Sequence, residues 1–341
     1  MDRKTVFGLL LSSVFLLASC APVPSAGTIN VTPSITPSPA TTELPVKTAV
    51  TPSPTTASLL PQVINSIQEM ATLPDVISMK EIVTGIEEID QGAISYELQY
   101  LSDGYVVVGY VAAPRDYLER PEPYPVLVAN RGGQADFAAI DSYSPAKIAM
   151  QFDAIILMSQ YRETRDGTGK DEFGGDDVHD VIKLMDFIEL CTFADKDHMV
   201  MLGSSRGSIM TFEIIRMDER IKAAIVISGV PDLVAVYDQR DEHMKAVLVY
   251  RVGGTPDEVP EEYARRSALQ WADEIDVPLQ IFHTEDDTRA PIGPVDKFVS
   301  LLESLGKEVT YVRKAEGGHG WSDMEMILEF FNTYAAESNQ E

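Results

Sequence analysis

The segment that most constrains the fold is a short one. An apolar run, His198-Met199-Val200-Met201-Leu202, leads into Gly203-Ser204-Ser205-Arg206-Gly207. Apolar residues at helical spacing follow directly: Ile209, Met210, Phe212, Ile214 and Ile215. The first run has the length of a buried strand, and the second has the period of a helix packed on one face. Almost no chain separates them, so the backbone must turn sharply. Glycine at both ends of the turn permits this, because it tolerates backbone angles and close approaches that other residues do not. The turn pushes the Ser205 side chain out at the strand end. It also places the partly positive start of a helix behind it.

The rest of the chain repeats this alternation. Two strand patterns, 94–101 and 105–112, flank Asp103-Gly104, a hairpin turn signal. Strand patterns follow at 126–129, 154–158, 223–227, 279–283 and 309–312, with helical patterns at 145–151, 178–190, 295–305 and 324–334. A hairpin feeding such a series predicts a mostly parallel sheet with helices on both faces. Ligands bind such sheets at the carboxyl ends of the strands, where Ser205 lies. A strand, G-x-S-x-G and a helix in that context read as the nucleophile elbow of an α/β-hydrolase fold. The expected class is therefore α/β, with the domain spanning 94–341 and a candidate cap at 231–274.

In that fold the acid and then the histidine follow the serine along the chain. The strand at 279–283 ends in Thr284-Glu285-Asp286-Asp287-Thr288, so three acids compete. Asp287 is the leading one, with Asp286 and Glu285 as rivals. His319, between Gly318 and Gly320 after the last strand pattern, is the expected base, since flanking glycines let a loop approach a nucleophile closely. His283 sits at a strand end almost beside the acids and suits a structural role. His179, His198 and His243 lie away from the expected loops. An oxyanion would need the Arg206 amide and a second amide from the loop after the third strand, Asn130-Arg131-Gly132-Gly133. Gly132 and Gly133 are the candidates. No metal cluster, dinucleotide fingerprint or phosphate loop stands out, so neither metal nor cofactor is expected.

The amino terminus reads as an address. Arg3 and Lys4 precede an apolar stretch to Leu17, and Leu17-Ala18-Ser19-Cys20 ends it. The stretch is short for a membrane span and fits a signal peptide over 1–19. Its ending resembles a bacterial lipobox, which implies lipidation of Cys20, export and anchoring at the outer face of a membrane. Residues 20–58 are rich in Pro, Thr and Ser and read as a disordered tether. Residues 59–93 read as a short helical preface, from Leu59, Leu60, Val63, Ile64, Ile67 and Met70 after Ser58. Cys191 is left as a single, buried, small hydrophobe. The formal net charge of −26 argues against nucleic acid as a partner, because phosphates would be repelled.

Several further motifs then stand together. They are Gln160-Tyr161-Arg162, Gly167-Thr168-Gly169, Gly174-Gly175-Asp176-Asp177-Val178, Ser267-Ala268, His283-x-x-x-Asp287-x-x-Ala290-Pro291 and Gly318-His319-Gly320-Trp321. With Ser205 in its turn, they resemble the catalytic domain of the prolyl oligopeptidase family over about 105–334. The resemblance implies a serine hydrolase with Ser205 as nucleophile, Asp287 as acid and His319 as base, acting on a peptide or small ester. A carboxylesterase of the same fold is the neighbouring reading. An inactive hydrolase fold serving as a binding module is the distant one. The chain departs from the family at Arg131, where His is usual before Gly-Gly, and at Glu163, Thr284 and Ala290. No β-propeller repeat precedes the domain.

Overall fold

The structure, a computed structural model, describes residues 62–335. The signal peptide, Cys20 and the tether lie outside them. Nine strands form one sheet in the order β1-β2-β3-β5-β4-β6-β7-β8-β9. In chain order they are β1 (Val76–Glu81), β2 (Ala93–Ser102), β3 (Tyr105–Pro114), β4 (Tyr124–Asn130), β5 (Ile155–Ser159), β6 (Ala194–Ser204), β7 (Ile221–Ile227), β8 (Leu279–Thr284) and β9 (Val309–Lys314). The first three pair antiparallel, as does β3 with β5. From β5 through β9 every pairing is parallel. This is the α/β-hydrolase fold.

The central parallel strands β4 to β8 are largely apolar on both faces, as burial under two helical layers requires. Successive residues point to opposite faces. Thus Val126, Val128, Met199 and Met201 meet the side of α3 (His179–Ile188), α4 (Gly207–Met217) and α8 (Ile292–Ser304). Leu127, Ala129, Val200 and Leu202 meet α2 (Ser144–Phe152) and α9 (Met324–Ala335). From β4 the chain crosses to β5 on one side, then to β6 on the other. The crevice at the carboxyl ends of β4 and β6 is the switch point of the sheet, where such folds bind ligands.

One expectation needs correction. The 59–93 stretch, expected as a short helical preface, holds over its described residues a 3-10 turn, an edge strand and one short α-helix. Ile64, Ile67, Met70 and Leu73 are all buried, at a spacing of three. That period matches a 3-10 helix rather than an α-helix, and a 3-10 turn forms at Ile67–Thr72. Pro74 holds Leu73 in extended backbone and stops it there. β1 then pairs with β2 as the sheet edge, and only Val76 of its six residues is buried, so it carries little apolar signal. A single α-helical turn, α1 (Glu87–Gly92), completes this stretch. The segment 231–274 is helical, with α5 (Leu233–Gln239), α6 (Glu242–Val252) and α7 (Pro260–Arg265). Cys191 is buried, and burial pushes its thiol up to about 12.

Candidate active site

Ser205 occupies the single-residue hinge between β6 and Arg206, the residue that caps α4, with a left-handed backbone of φ +54°. A non-glycine residue there is strained, and such strain persists where the surroundings enforce it. The neighbouring glycines show the enforcement. A Cβ on Gly207 would lie 2.1 Å from the Asn130 carbonyl oxygen, and one on Gly203 2.3 Å from Thr211 Oγ1. The elbow is therefore wedged between β4 and its own helix.

Asp287 follows β8 and His319 follows β9, and the structure brings them together. His319 Nδ1 donates to Asp287 Oδ2 at 2.8 Å and lies 3.0 Å from Oδ1. Two amides, of Arg289 and Ala290, also donate to Asp287 Oδ1, at 2.8 and 2.9 Å. Burial alone would raise this carboxyl. The hydrogen bond and charge of His319, with the two amides, outweigh it and pull the group down to about 2. The carboxylate is thus ionised and fixes the ring with the proton on Nδ1. Nε2 makes no hydrogen bond among the described residues, and none joins it to Ser205 Oγ. Such bonds often tighten only when substrate is present.

The rival acids serve the loops. Asp286 accepts from the Gly317 and Gly318 amides, at 3.2 and 2.8 Å, and so clasps the loop that carries His319. Glu285 pairs with Arg313. His283 is fully buried and donates from Nε2 to the Ala290 carbonyl at 2.8 Å, which braces the Asp287 loop. Its burial pushes its pKa down, toward the neutral form. Two residues that sequence reasoning missed tether the histidine loop: Ser228 Oγ accepts from the Gly320 amide at 2.8 Å, and Thr284 Oγ1 donates to the Gly318 carbonyl at 3.1 Å. Ser228 follows β7, the strand beside β6, and is itself left-handed at φ +50°.

Across the crevice, Gly132 lies against the elbow. A Cβ built on it would stand 3.2 Å from Ser205 Cβ and 3.8 Å from Oγ. None of the Gly132, Gly133 and Arg206 amides has an acceptor among the described residues. The Arg206 side chain is buried, paired with Asp171 at 2.8 Å and with Asp177. It lies over the Tyr161 ring. The helical insertion reaches both sides of the site. Arg251 of α6 donates to Gln134 Oε1 and to Glu163, and Arg240 donates to the Arg289 carbonyl at 3.2 Å. Its apolar side packs on Phe173, Ile209 and Ala290.

The family model described as the prolyl oligopeptidase family matches residues 160–337. The chain belongs to the prolyl oligopeptidase family. As a member of that family it is a serine hydrolase. Over 218 residues it is 28% identical to an uncharacterised peptidase of Bacillus subtilis, YtmA, covering 63% of this chain and 81% of that one. The acylaminoacyl peptidase of Pyrococcus horikoshii superposes with a TM-score of 0.64 at 21% identity, covering 75% of this chain and 44% of that one. Acetyl xylan esterase 1 from Thermoanaerobacterium sp. superposes with a TM-score of 0.60 at 13% identity, over 79% and 91% of the two chains. The chain thus spans less than half of the peptidase structure and nearly all of the esterase. Within this family member, the residues matched by the model include Ser205, Asp287 and His319 but not the Gly132-Gly133 loop.

Proposed function

We infer that this protein cleaves peptide or ester bonds through an acyl-enzyme, with Ser205 as nucleophile, His319 as general base and Asp287 as its orienting acid. As Ser205 Oγ bonds to the substrate carbonyl carbon, His319 Nε2 takes its proton. The Arg206 amide and one from Gly132 or Gly133 receive the oxyanion. Collapse expels the amine or alcohol, which takes the proton from His319. Water then repeats the cycle and releases the acid. The observation that carries this reading is the His319–Asp287 pair, which leaves Nε2 free beside a loop tied to β7. A fluorophosphonate probe should label the wild type and not Ser205→Ala. Equal labelling of both, or of neither, overturns the reading.

The fold, shared with acetyl xylan esterase 1, supports a second reading. Short acyl esters turned over with no cleavage of acylated peptides would assign a carboxylesterase. The export signal and lipid anchor at Cys20 belong to the same proposal. Cys20→Ser should move the protein from the detergent phase to the aqueous phase, and unchanged partitioning would remove the anchor.

A further inference from the structure

The loop that faces Ser205 is held from beneath in an unusual way. Arg131 stands where the family has His, and its side chain points into the protein rather than at the crevice. It is only 6% exposed and has no ion-pair partner among the described residues. Its donors go to carbonyls and one hydroxyl. Nε and Nη2 meet the Gln160 carbonyl at 3.1 and 2.6 Å, and Nη2 also meets Ala135 O and Thr164 Oγ1, both at 2.9 Å. Nη1 meets the carbonyls of Gly132 at 3.1 Å and Phe137 at 3.3 Å. A buried charge without a carboxylate is costly, and burial pulls this guanidinium down to about 10. The contacts that offset the cost are those that shape the 131–137 loop.

Peptide planarity converts those contacts into amide directions. In a trans peptide the carbonyl of one residue and the N–H of the next point opposite ways. The Gly132 carbonyl is turned inward onto Arg131 Nη1, so the Gly133 N–H faces outward. The Arg131 carbonyl accepts from the Tyr161 hydroxyl at 3.1 Å, so the Gly132 N–H faces outward as well. The Gly133 carbonyl in turn meets Arg206 Nη1 at 3.4 Å. Tyr161 is itself fixed: it is fully buried, left-handed at φ +62°, and lies beneath both guanidinium groups.

We propose that Arg131, with the Tyr161 hydroxyl, is the positioning device that holds the Gly132 and Gly133 amides toward the oxyanion. This rests on the hydrolase reading above. Lysine offers one nitrogen where Arg131 spans four carbonyls, so it keeps the charge but cannot hold the planes.

The test uses the full-length chain with Arg131→Lys and Tyr161→Phe, assayed on a short aryl ester, with a trifluoromethyl ketone as a mimic of the tetrahedral adduct. Arg131→Lys should lower kcat by about 10-fold or more, since losing one oxyanion donor outright costs about 100-fold or more. KM should change little, and the mimic should weaken in proportion to the loss in kcat/KM. Tyr161→Phe should show the same pattern at smaller size, and it decides the matter if the lysine variant does not fold. Folded variants that keep kcat and mimic affinity within about twofold, or that lose KM alone, overturn the proposal. Wild-type protein that neither labels nor turns over overturns the hydrolase reading beneath it.

Discussion

At the scale of single residues, three consecutive acids have three different tasks. Only Asp287 reaches the His319 ring, while Asp286 holds amides of the histidine loop and Glu285 meets an arginine at the surface. Asp287→Asn should therefore cut kcat/KM by roughly 1,000-fold or more, because the amide favours the wrong imidazole tautomer. Asp286→Asn should cost about tenfold or less through a looser loop, and Glu285→Gln should be neutral. Ester hydrolysis by the three variants checks the order. The same carboxyl links stability to pH. Its folded pKa of about 2 lies below the ordinary 3.8. The stabilisation is thus complete above about pH 4 and is lost as pH falls toward 2. It amounts to about 2 kcal/mol at most. In urea unfolding, the gap between wild type and Asp287→Asn should be widest near neutral pH and should close between pH 4 and 2. A gap that persists at pH 2 would show that Asp287 acts on stability by packing alone.

At the scale of elements, the elbow is a joint between β6 and α4 with no room for side chains. Gly207→Ala would force its methyl into the Asn130 carbonyl at 2.1 Å. That neighbour is backbone of β4, so strand and helix must part. We expect a loss of at least about 2 kcal/mol and of most fluorophosphonate labelling, read by thermal melting and by gel. The elbow was legible in the sequence because its causes are local: a glycine pair, an apolar run and a helical period. The 67–72 turn misled for a related reason. Four apolar residues three apart resemble a helix in a short window, and only Pro74 and the pairing of β1 with β2 settle the shorter period. The edge strand β1 is drawn in by backbone hydrogen bonds, which leave almost no trace in side-chain pattern.

At the scale of the whole molecule, β1 and the 64–73 segment are part of the sheet and its core, not an attachment to them. Ile64 joins the end of the α3 region through its amide to Leu190 at 2.8 Å and its carbonyl to Thr192 at 2.9 Å. Removing residues 1–92 would strip five buried apolar side chains among the described residues, Ile64, Ile67, Met70, Leu73 and Val76, worth on the order of 8 kcal/mol. It would also leave the ten-residue β2 as an open edge, a template for aggregation. Removing 1–58 should leave melting unchanged, while removing 1–92 should give insoluble protein. A soluble, cooperatively melting product of the longer deletion would contradict this.

Periodicity and turn chemistry act between near neighbours, and they suffice for the parallel sheet, the elbow at Ser205 and the chain order of serine, acid and histidine. Residue type alone left Asp287 among three acids and Gly132 beside Gly133, since each set shares one chemistry and one loop. Folding singles out Asp287 and orients both glycine amides by contacts between residues far apart in the chain. Asp287 meets a histidine 32 positions away, and Arg131 gathers carbonyls from its own loop and from Gln160, 29 positions on. No local pattern encodes which way a peptide plane turns. That is decided when the buried donors beneath it find their acceptors.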